Sequence, residues 1–291
     1  MEYVVLILGS ALFAVYSIGM KISGDTCIKN RAQRFLHVGL FSAVASLLSF
    51  SFCGWKLGQL PWFTWWTVLL LGLIFVLLLY VYLKVLEYGP LSLSVLFMNM
   101  SMIFPIIFFW IFRSEKITVL RLMGIILICV MFFSSANLKE HGKPITVKWF
   151  LYVLLSVLMN GSVCIINRVY QIETKGAYTA PFTALWYGVA AIIAICLAIA
   201  FSGKKRENIK MYFSLKALRL VLIVGVGSFG GNYITSSLSY RIDSSVLFPV
   251  ILGGSFILVM IGSLLFLKEK LNFHKVITLA FGFLAVILLS I

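Results

Sequence analysis

Charged residues are scarce in this sequence, and their scarcity excludes a soluble globular protein. Only 11% of the 291 residues are charged, whereas 62% are hydrophobic and the mean hydropathy is +1.08. A soluble domain carries about a quarter charged residues, because its surface has to face water. The composition therefore predicts an integral membrane protein.

Acidic residues are especially few, with 9 Asp and Glu against 24 Lys and Arg, which gives a formal net charge of +15. Such an excess of positive charge is also typical of nucleic-acid-binding proteins. Here, however, the basic residues lie almost wholly in short segments between apolar runs, so no basic domain exists to follow a phosphate backbone. We expect membrane lipids as partners and no nucleic acid.

Motifs for metal binding and nucleophilic catalysis are absent. The sequence has no HExxH and no GxSxG, its five cysteines lack CxxC spacing, and its three histidines lie at or beyond the ends of apolar runs. A metalloenzyme or hydrolase within the membrane would need such groups at membrane depth. We therefore expect no disulfide framework, no metal, no cofactor and no enzymatic activity.

Long apolar runs dominate what is present. About ten such runs are long enough for a helix that crosses the hydrocarbon core, which needs about 20 apolar residues. The sequence predicts an all-α integral membrane protein with ten transmembrane helices. The runs are Tyr3–Met20, Phe35–Cys53, Phe63–Leu83, Leu91–Phe112, Val119–Ala136, Trp149–Val169, Thr179–Phe201, Ala217–Ser239, Ser245–Leu267 and Val276–Ile291.

An even number of crossings places both termini on one side of the membrane. Most Lys and Arg residues lie in the loops that follow odd-numbered runs. By the positive-inside rule those loops are cytoplasmic, and both termini are extracellular.

The chain also repeats itself. Residues 112–118, around Glu115, are echoed by residues 266–272, around Glu269, and Lys21 at the end of run one is echoed by Arg168 at the end of run six. Five crossings per copy is an odd number, so the second copy enters the membrane inverted. We expect two inverted five-helix repeats, residues 1–144 and 145–291, which form one membrane domain.

Several short motifs give the chain a resemblance to the drug/metabolite transporter superfamily, in its EamA-like ten-helix branch. They are Leu83–Pro90, Pro105, Glu115-Lys116, Gly124, Pro249, Glu269-Lys270 and Gly282. The resemblance covers the whole chain and implies transport of a metabolite, an amino acid, a nucleotide sugar or a small cation. It also implies cytoplasmic termini, in conflict with the distribution of charge.

Polar side chains deep within the apolar runs are candidates for a solute site, because a polar group that faces lipid is costly. Packing between helices is the alternative role for each of them. An aromatic ring beside them could wall an apolar or cationic solute. The substrate-binding candidates are Asn99, Ser101, Asn160, Trp186, Asn232, Tyr233, Ser236 and Ser255.

No carboxylate lies at the middle of a run, so a residue that couples transport to protons must lie near a helix end. The candidates are His37, Glu87 and Asp243, each of which could equally be a solvated end group. Arg168 and Lys21 could meet an anionic solute, although side chains that reach to the lipid headgroups are the simpler account.

Two glycine patterns resemble functional motifs or sites. Residues 225–230 match GxGxxG but lie within an apolar helix without a preceding strand, so we interpret Gly227 and Gly231 as a helix-packing face. The pair Gly253-Gly254, whose first member corresponds to Asn99 in the other repeat, is expected to leave space for a ligand.

The sequence thus predicts a secondary transporter of the cytoplasmic membrane that moves a small solute by alternating access, with efflux preferred. A flippase of the same fold for a lipid-linked substrate is the alternative. A homodimer is compatible with this prediction, and a monomer would be sufficient.

Overall fold

The computed structural model describes residues 2–52, 60–88, 97–135, 146–202, 214–266 and 273–290, which form helices joined by short turns and contain no strand. The helices are α1 (Glu2–Thr26), α2 (Arg31–Ser51), α3 (Phe63–Tyr88), α4 (Ile103–Arg113), α5 (Val119–Ser135), α6 (Val147–Glu173), α7 (Thr179–Ser202), α8 (Leu215–Leu238), α9 (Ser244–Phe248), a π-helical segment (Pro249–Gly253), α10 (Gly254–Phe266) and α11 (Phe273–Ser290).

Seven of these helical stretches are long and apolar enough to cross a membrane: α1, α2, α6, α7 and α8, most of α3, and the stretch Ser244–Gly262. Three shorter apolar helices accompany them, at Phe97–Arg113, Val119–Met131 and Ala280–Leu289. The chain is therefore an all-α, multi-pass membrane protein, as its composition predicts. The full set of ten crossings remains a prediction.

Polar side chains fix where several helices begin. Asn30 accepts a hydrogen bond from the Gln33 N–H at 2.8 Å and caps α2. Thr146 and Ser214 cap α6 and α8 in the same way. Each cap satisfies a backbone N–H group that the first helical turn leaves without a partner.

The helices pack mainly in antiparallel pairs, and small residues allow their backbones to come close. In the α1–α8 pair, a Cβ atom on Gly227 would lie 2.8 Å from the Tyr16 nitrogen and 2.8 Å from the Leu12 oxygen, while Gly231 packs on the Phe13 ring. The packing role predicted for Gly227 and Gly231 is confirmed. Similar pairs join α2 to α7, α3 to α6, and α5 to α11.

Gly253 and Gly254 do not open a space as the sequence suggested. A Cβ atom on Gly253 would lie 2.8 Å from the Ile128 side chain of α5, and one on Gly254 would lie 2.8 Å from the Ser10 hydroxyl of α1. The expectation was wrong because neighbouring helices use the missing side chains to pack closely.

Two helical stretches are interrupted beside a proline. Pro105 has no N–H to donate to the Ser101 carbonyl, which instead accepts from the Phe104 N–H at 3.1 Å, and the chain turns before α4 begins. Pro249 opens the π-helical segment between α9 and α10, where the Val250 carbonyl accepts a hydrogen bond from the Ser10 hydroxyl at 3.2 Å. Each interruption therefore lies beside a proline, which lacks the N–H that a regular helix would use.

Candidate functional site

One face of α6 carries a row of polar side chains through an otherwise apolar bundle. Asn167 follows Asn160 by seven residues and precedes Gln171 by four, and Arg168 adjoins Asn167, which places the four along one broad side of the helix. Each bonds to a different neighbouring element, and the last three are buried. We call these four residues the polar row.

At Asn160, the polar row meets the interruption before α4. The Asn160 side chain donates a hydrogen bond to the Ser101 hydroxyl oxygen at 2.5 Å, and Ser101 is fully buried. Asn99 is half-buried on the helical turn just before Ser101. The structure therefore brings these three predicted residues into one region, at a point where the backbone departs from regular helix.

Further along α6, Asn167 and Ser236 form a reciprocal pair. The Asn167 amide donates to the Ser236 hydroxyl at 2.9 Å, and that hydroxyl donates to the Asn167 carbonyl oxygen at 3.0 Å. Both side chains are buried. The pair ties α6 to α8, and it places the predicted residue Ser236 in the polar row's surroundings.

At Arg168, the polar row includes one partner of a buried ion pair. Arg168 is bonded to Glu115 and donates a second hydrogen bond to the Ile242 carbonyl at 2.7 Å. The side chains of Arg168 and Glu115 are only 4% and 11% exposed. The other Glu115 carboxylate oxygen accepts a hydrogen bond from the Ser244 N–H at 2.8 Å.

A turn in the backbone aims Glu115 at this partner. Ser114 ends α4 in the left-handed conformation, with φ of 53°, and its N–H donates to the Phe109 carbonyl. The chain therefore reverses at once after α4 and returns Glu115 toward α6. Arg168 also lies over the Phe109 ring, 4.6 Å from its centroid.

The expectation that Arg168 reaches toward the headgroups was wrong. The side chain is buried against Glu115, the Ile242 carbonyl and the Phe109 ring, which partner its two terminal nitrogens and its face, while its Nε has no hydrogen-bond partner among the described residues. A buried arginine and one at a membrane interface both lie near the end of an apolar run, so the run alone does not separate them. The seven-residue interval between Asn160 and Asn167, followed by Arg168, is the signal that places all three on one helix face.

A second polar group joins α7 to α8. The Tyr187 hydroxyl bonds to Ser228 of α8, with its oxygen 2.6 Å from the Ser228 hydroxyl, and it accepts a hydrogen bond from Asn232 at 2.9 Å. Trp186 is buried and stacks on Tyr187 with 3.7 Å between ring centroids. The predicted residues Trp186 and Asn232 therefore belong to a packed cluster that is separate from the polar row.

Two predicted residues join neither group. Tyr233 lies among aromatic side chains, 5.4 Å from Phe229 and 5.9 Å from Phe52 between ring centroids. Ser255 is buried in α10, next to the close contact between Gly254 and α1.

The coupling candidates occupy three different settings. His37 is fully buried in α2, with its ring edge-on to Phe41 at 5.7 Å. Asp243, just before α9, forms a half-exposed ion pair with Arg121 at 2.6 Å. The side chain of Glu87 lies outside the part that the structure describes.

An apolar groove runs beside the Asn160 end of the polar row. Its volume is about 220 Å³, and only apolar side chains of α6, α4 and the turn before α4 line it, among them Phe97, Phe104 and Val157. In the described parts of the chain, no three His, Cys, Asp or Glu side chains come together in a way that could hold a metal ion.

Comparison with known proteins shows the fold but not the family. No model of a protein family matches the sequence, and no curated protein matches it. Among solved structures, 28 chains match. One, described only as "Crystal structure of protein", has a TM-score of 0.78 at 12% identity, over 99% of this chain and 95% of that chain. The architecture of the whole chain therefore occurs in a protein of very different sequence.

Proposed function

We propose that this protein is a secondary transporter that moves a small polar solute across the cytoplasmic membrane by alternating access. The observation that carries the proposal is the pair of interrupted helical stretches, at Ser101–Met102 and at Pro249–Gly253. Both interruptions lie in the fourth predicted crossing of their half, a few residues apart in register, and transporters with inverted repeats build their substrate sites from discontinuous helices of the two halves.

The pairing of helices supports two inverted halves. If residues 1–144 and 145–291 are repeats, α1 corresponds to α6, α2 to α7 and α3 to α8. The α1–α8 contact is then equivalent to the α3–α6 contact, and the α2–α7 pair is its own equivalent. A two-fold axis in the membrane plane produces this pattern, and it is the arrangement that allows two related halves to alternate.

Two uncharged members of the polar row and their hydroxyl partners support a solute that is recognised by hydrogen bonds. Asn160, Ser101, Asn167 and Ser236 offer amide and hydroxyl groups that both donate and accept. These groups are uncharged, which suits an amino acid, a small cation or a similar metabolite. The motifs around Pro105 and Glu115 are the basis on which we propose that the chain is related to the EamA-like branch of the drug/metabolite transporter superfamily.

A thermal-shift screen tests the proposal. The detergent-purified protein is heated in the presence of amino acids, nucleotides, sugars or quaternary amines, because a ligand of the folded state raises the unfolding temperature by mass action. We expect stabilisation by one chemical class, and we expect Asn160→Ala to remove it. Stabilisation by lipids alone would contradict the proposal.

The apolar groove favours a second candidate function. A groove of about 220 Å³ beside Asn160 could hold an acyl chain while the polar row meets a headgroup. A flippase for a lipid-linked substrate would use the same fold in this way. Stabilisation by lipids with a polar headgroup, in the screen above, is the result that this alternative predicts.

A further inference from the structure

Ion pairs join the two halves of the chain at one end of the bundle. The described residues contain three, Glu115 with Arg168, Asp243 with Arg121, and Glu173 with Arg113. Each has one partner in residues 1–144 and the other in residues 145–291. All lie at the ends of α4, α6 and α8 or at the beginnings of α5 and α9, so they join the two halves at the same end of the molecule.

The three pairs differ sharply in burial. The side chains of Arg113 and Glu173 are 42% and 49% exposed, and those of Arg121 and Asp243 are 23% and 45% exposed. Solvent screens such pairs, and they add little to stability. The Arg168 and Glu115 side chains, at 4% and 11%, are shielded from solvent, so the position of each depends on the other.

The buried pair also holds a third element. Glu115 accepts the Ser244 N–H, and Arg168 donates to the Ile242 carbonyl, so the connection between α8 and α9 is fixed to both partners. This connection leads through α9 directly into the π-helical segment. A change in the ion pair is therefore transmitted to one of the two interruptions at which the substrate site is proposed.

We propose that Glu115 and Arg168 form a gate that closes Asn160 and Asn167, with their partners Ser101 and Ser236, from the end of the molecule that holds the α4–α5, α6–α7 and α8–α9 connections. The inference rests on the proposed alternating access, because the two halves must separate at this end for a solute to pass. In this structure the gate is shut. Opening requires the ion pair to break, and a buried pair without its partner is unfavourable, so the closed state is favoured until other interactions compensate.

A cysteine on α6 reports whether the gate is open. Cys164 lies between Asn160 and Arg168 at four-residue spacing on the same helix face, and its thiol is free. The experiment keeps Cys164, replaces the other four cysteines with serine, and measures labelling by a membrane-impermeant maleimide in right-side-out and inside-out vesicles. The test variant is Glu115→Gln with Arg168→Gln, which leaves no isolated buried charge.

Two control variants remove charged side chains that are exposed rather than buried. Arg113→Gln with Glu173→Gln removes an exposed pair that joins the same halves at the same end. Lys21→Gln removes the exposed cation that corresponds to Arg168 in the repeat. Size-exclusion chromatography confirms that each variant remains folded.

We expect Cys164 in the test variant to react about ten times faster than in the parent, from one membrane face only, because loss of the pair raises the population of the open state. Both controls should react at the parent rate. An unchanged rate in the folded test variant would overturn the gate, as would faster labelling from both faces, which reports general loosening.

The labelling assay uses no cargo, so it separates this inference from the proposed function. One-sided opening in a protein that carries no solute contradicts only the proposed cargo. Transport of a solute with an unchanged labelling rate contradicts only the gate.

Discussion

At the scale of single residues, paired polar side chains inside an apolar bundle add bonds between helices that are already packed together. The reciprocal hydrogen bonds between Asn167 and Ser236 satisfy both groups at once. Removal of one partner leaves the other without a bond in a medium where water is scarce, whereas the pair together costs little.

Asn167→Ala should lower the free energy of unfolding by about 1 kcal/mol, because the buried Ser236 hydroxyl loses its partner. Thermal unfolding in detergent measures the change. Ser162→Ala is the matched control on the same helix, since this partly exposed hydroxyl bonds only to the Leu158 carbonyl of its own helix. Equal unfolding temperatures for the two variants would show that the α6–α8 bond is not stabilising.

Part of this site could be predicted from the sequence, because polar residues within apolar runs can be recognised there, whereas the residues that they bond to cannot. Asn160 and Ser101 stand out because amides and hydroxyls are rare within apolar runs. Periodicity places Asn167, Arg168 and Gln171 on the same helix face but does not reveal what lies opposite. The partners Glu115 and Ser236 are distant in sequence, and only the folded chain brings them to α6.

At the scale of helices, close approach of backbones determines which pairs form. The contact between α1 and α8 depends on Gly227, whose missing side chain leaves room for the backbone at Leu12 and Tyr16. A flexible side chain could move aside for an added methyl group, but the backbone of a packed helix cannot do so cheaply.

Gly227→Ala should therefore destabilise the protein by about 1–3 kcal/mol through overpacking between the two helices. Gly24→Ala is the control, because no atom lies within 4 Å of the place its Cβ would occupy. In that open position, alanine should be neutral or raise stability by up to about 1 kcal/mol through its higher helix propensity. Unfolding temperatures of the two variants test this, and the α1–α8 contact is not close if Gly227→Ala is also neutral.

The helices themselves could be predicted from the sequence more completely than their irregularities. The apolar runs indicate where helices lie, whereas the capping residues Asn30, Thr146 and Ser214 are seen only in the structure. Pro105 and Pro249 indicate interruptions, but whether a proline produces a turn or a π-helical segment depends on the neighbouring helices. The Ser10 hydroxyl, which bonds to the Val250 carbonyl, is such a neighbour.

At the scale of the whole molecule, the antiparallel pairs join the first half of the chain to the second. The α1–α8, α2–α7, α3–α6 and α5–α11 contacts all cross the boundary between residues 1–144 and 145–291. Neither half therefore buries its own helices fully without the other. A rearrangement of one half against the other changes both ends of the bundle together, which is what alternating access requires.

The most direct test of this account is counterflow transport in proteoliposomes, with the solute class that stabilises the purified protein as the radiolabelled cargo. The proteoliposomes are preloaded with unlabelled solute, and we expect the parent protein to accumulate the labelled solute inside them by exchange. Asn99→Ala and Asn160→Ala should each reduce the initial rate more than Asn232→Ala, because Asn99 and Asn160 lie at the interruption before α4, whereas Asn232 is bonded within the α7–α8 cluster. All variants should insert at normal levels. Equal rates in the three variants would contradict the proposed site, and no accumulation by the folded parent protein would contradict the transporter itself.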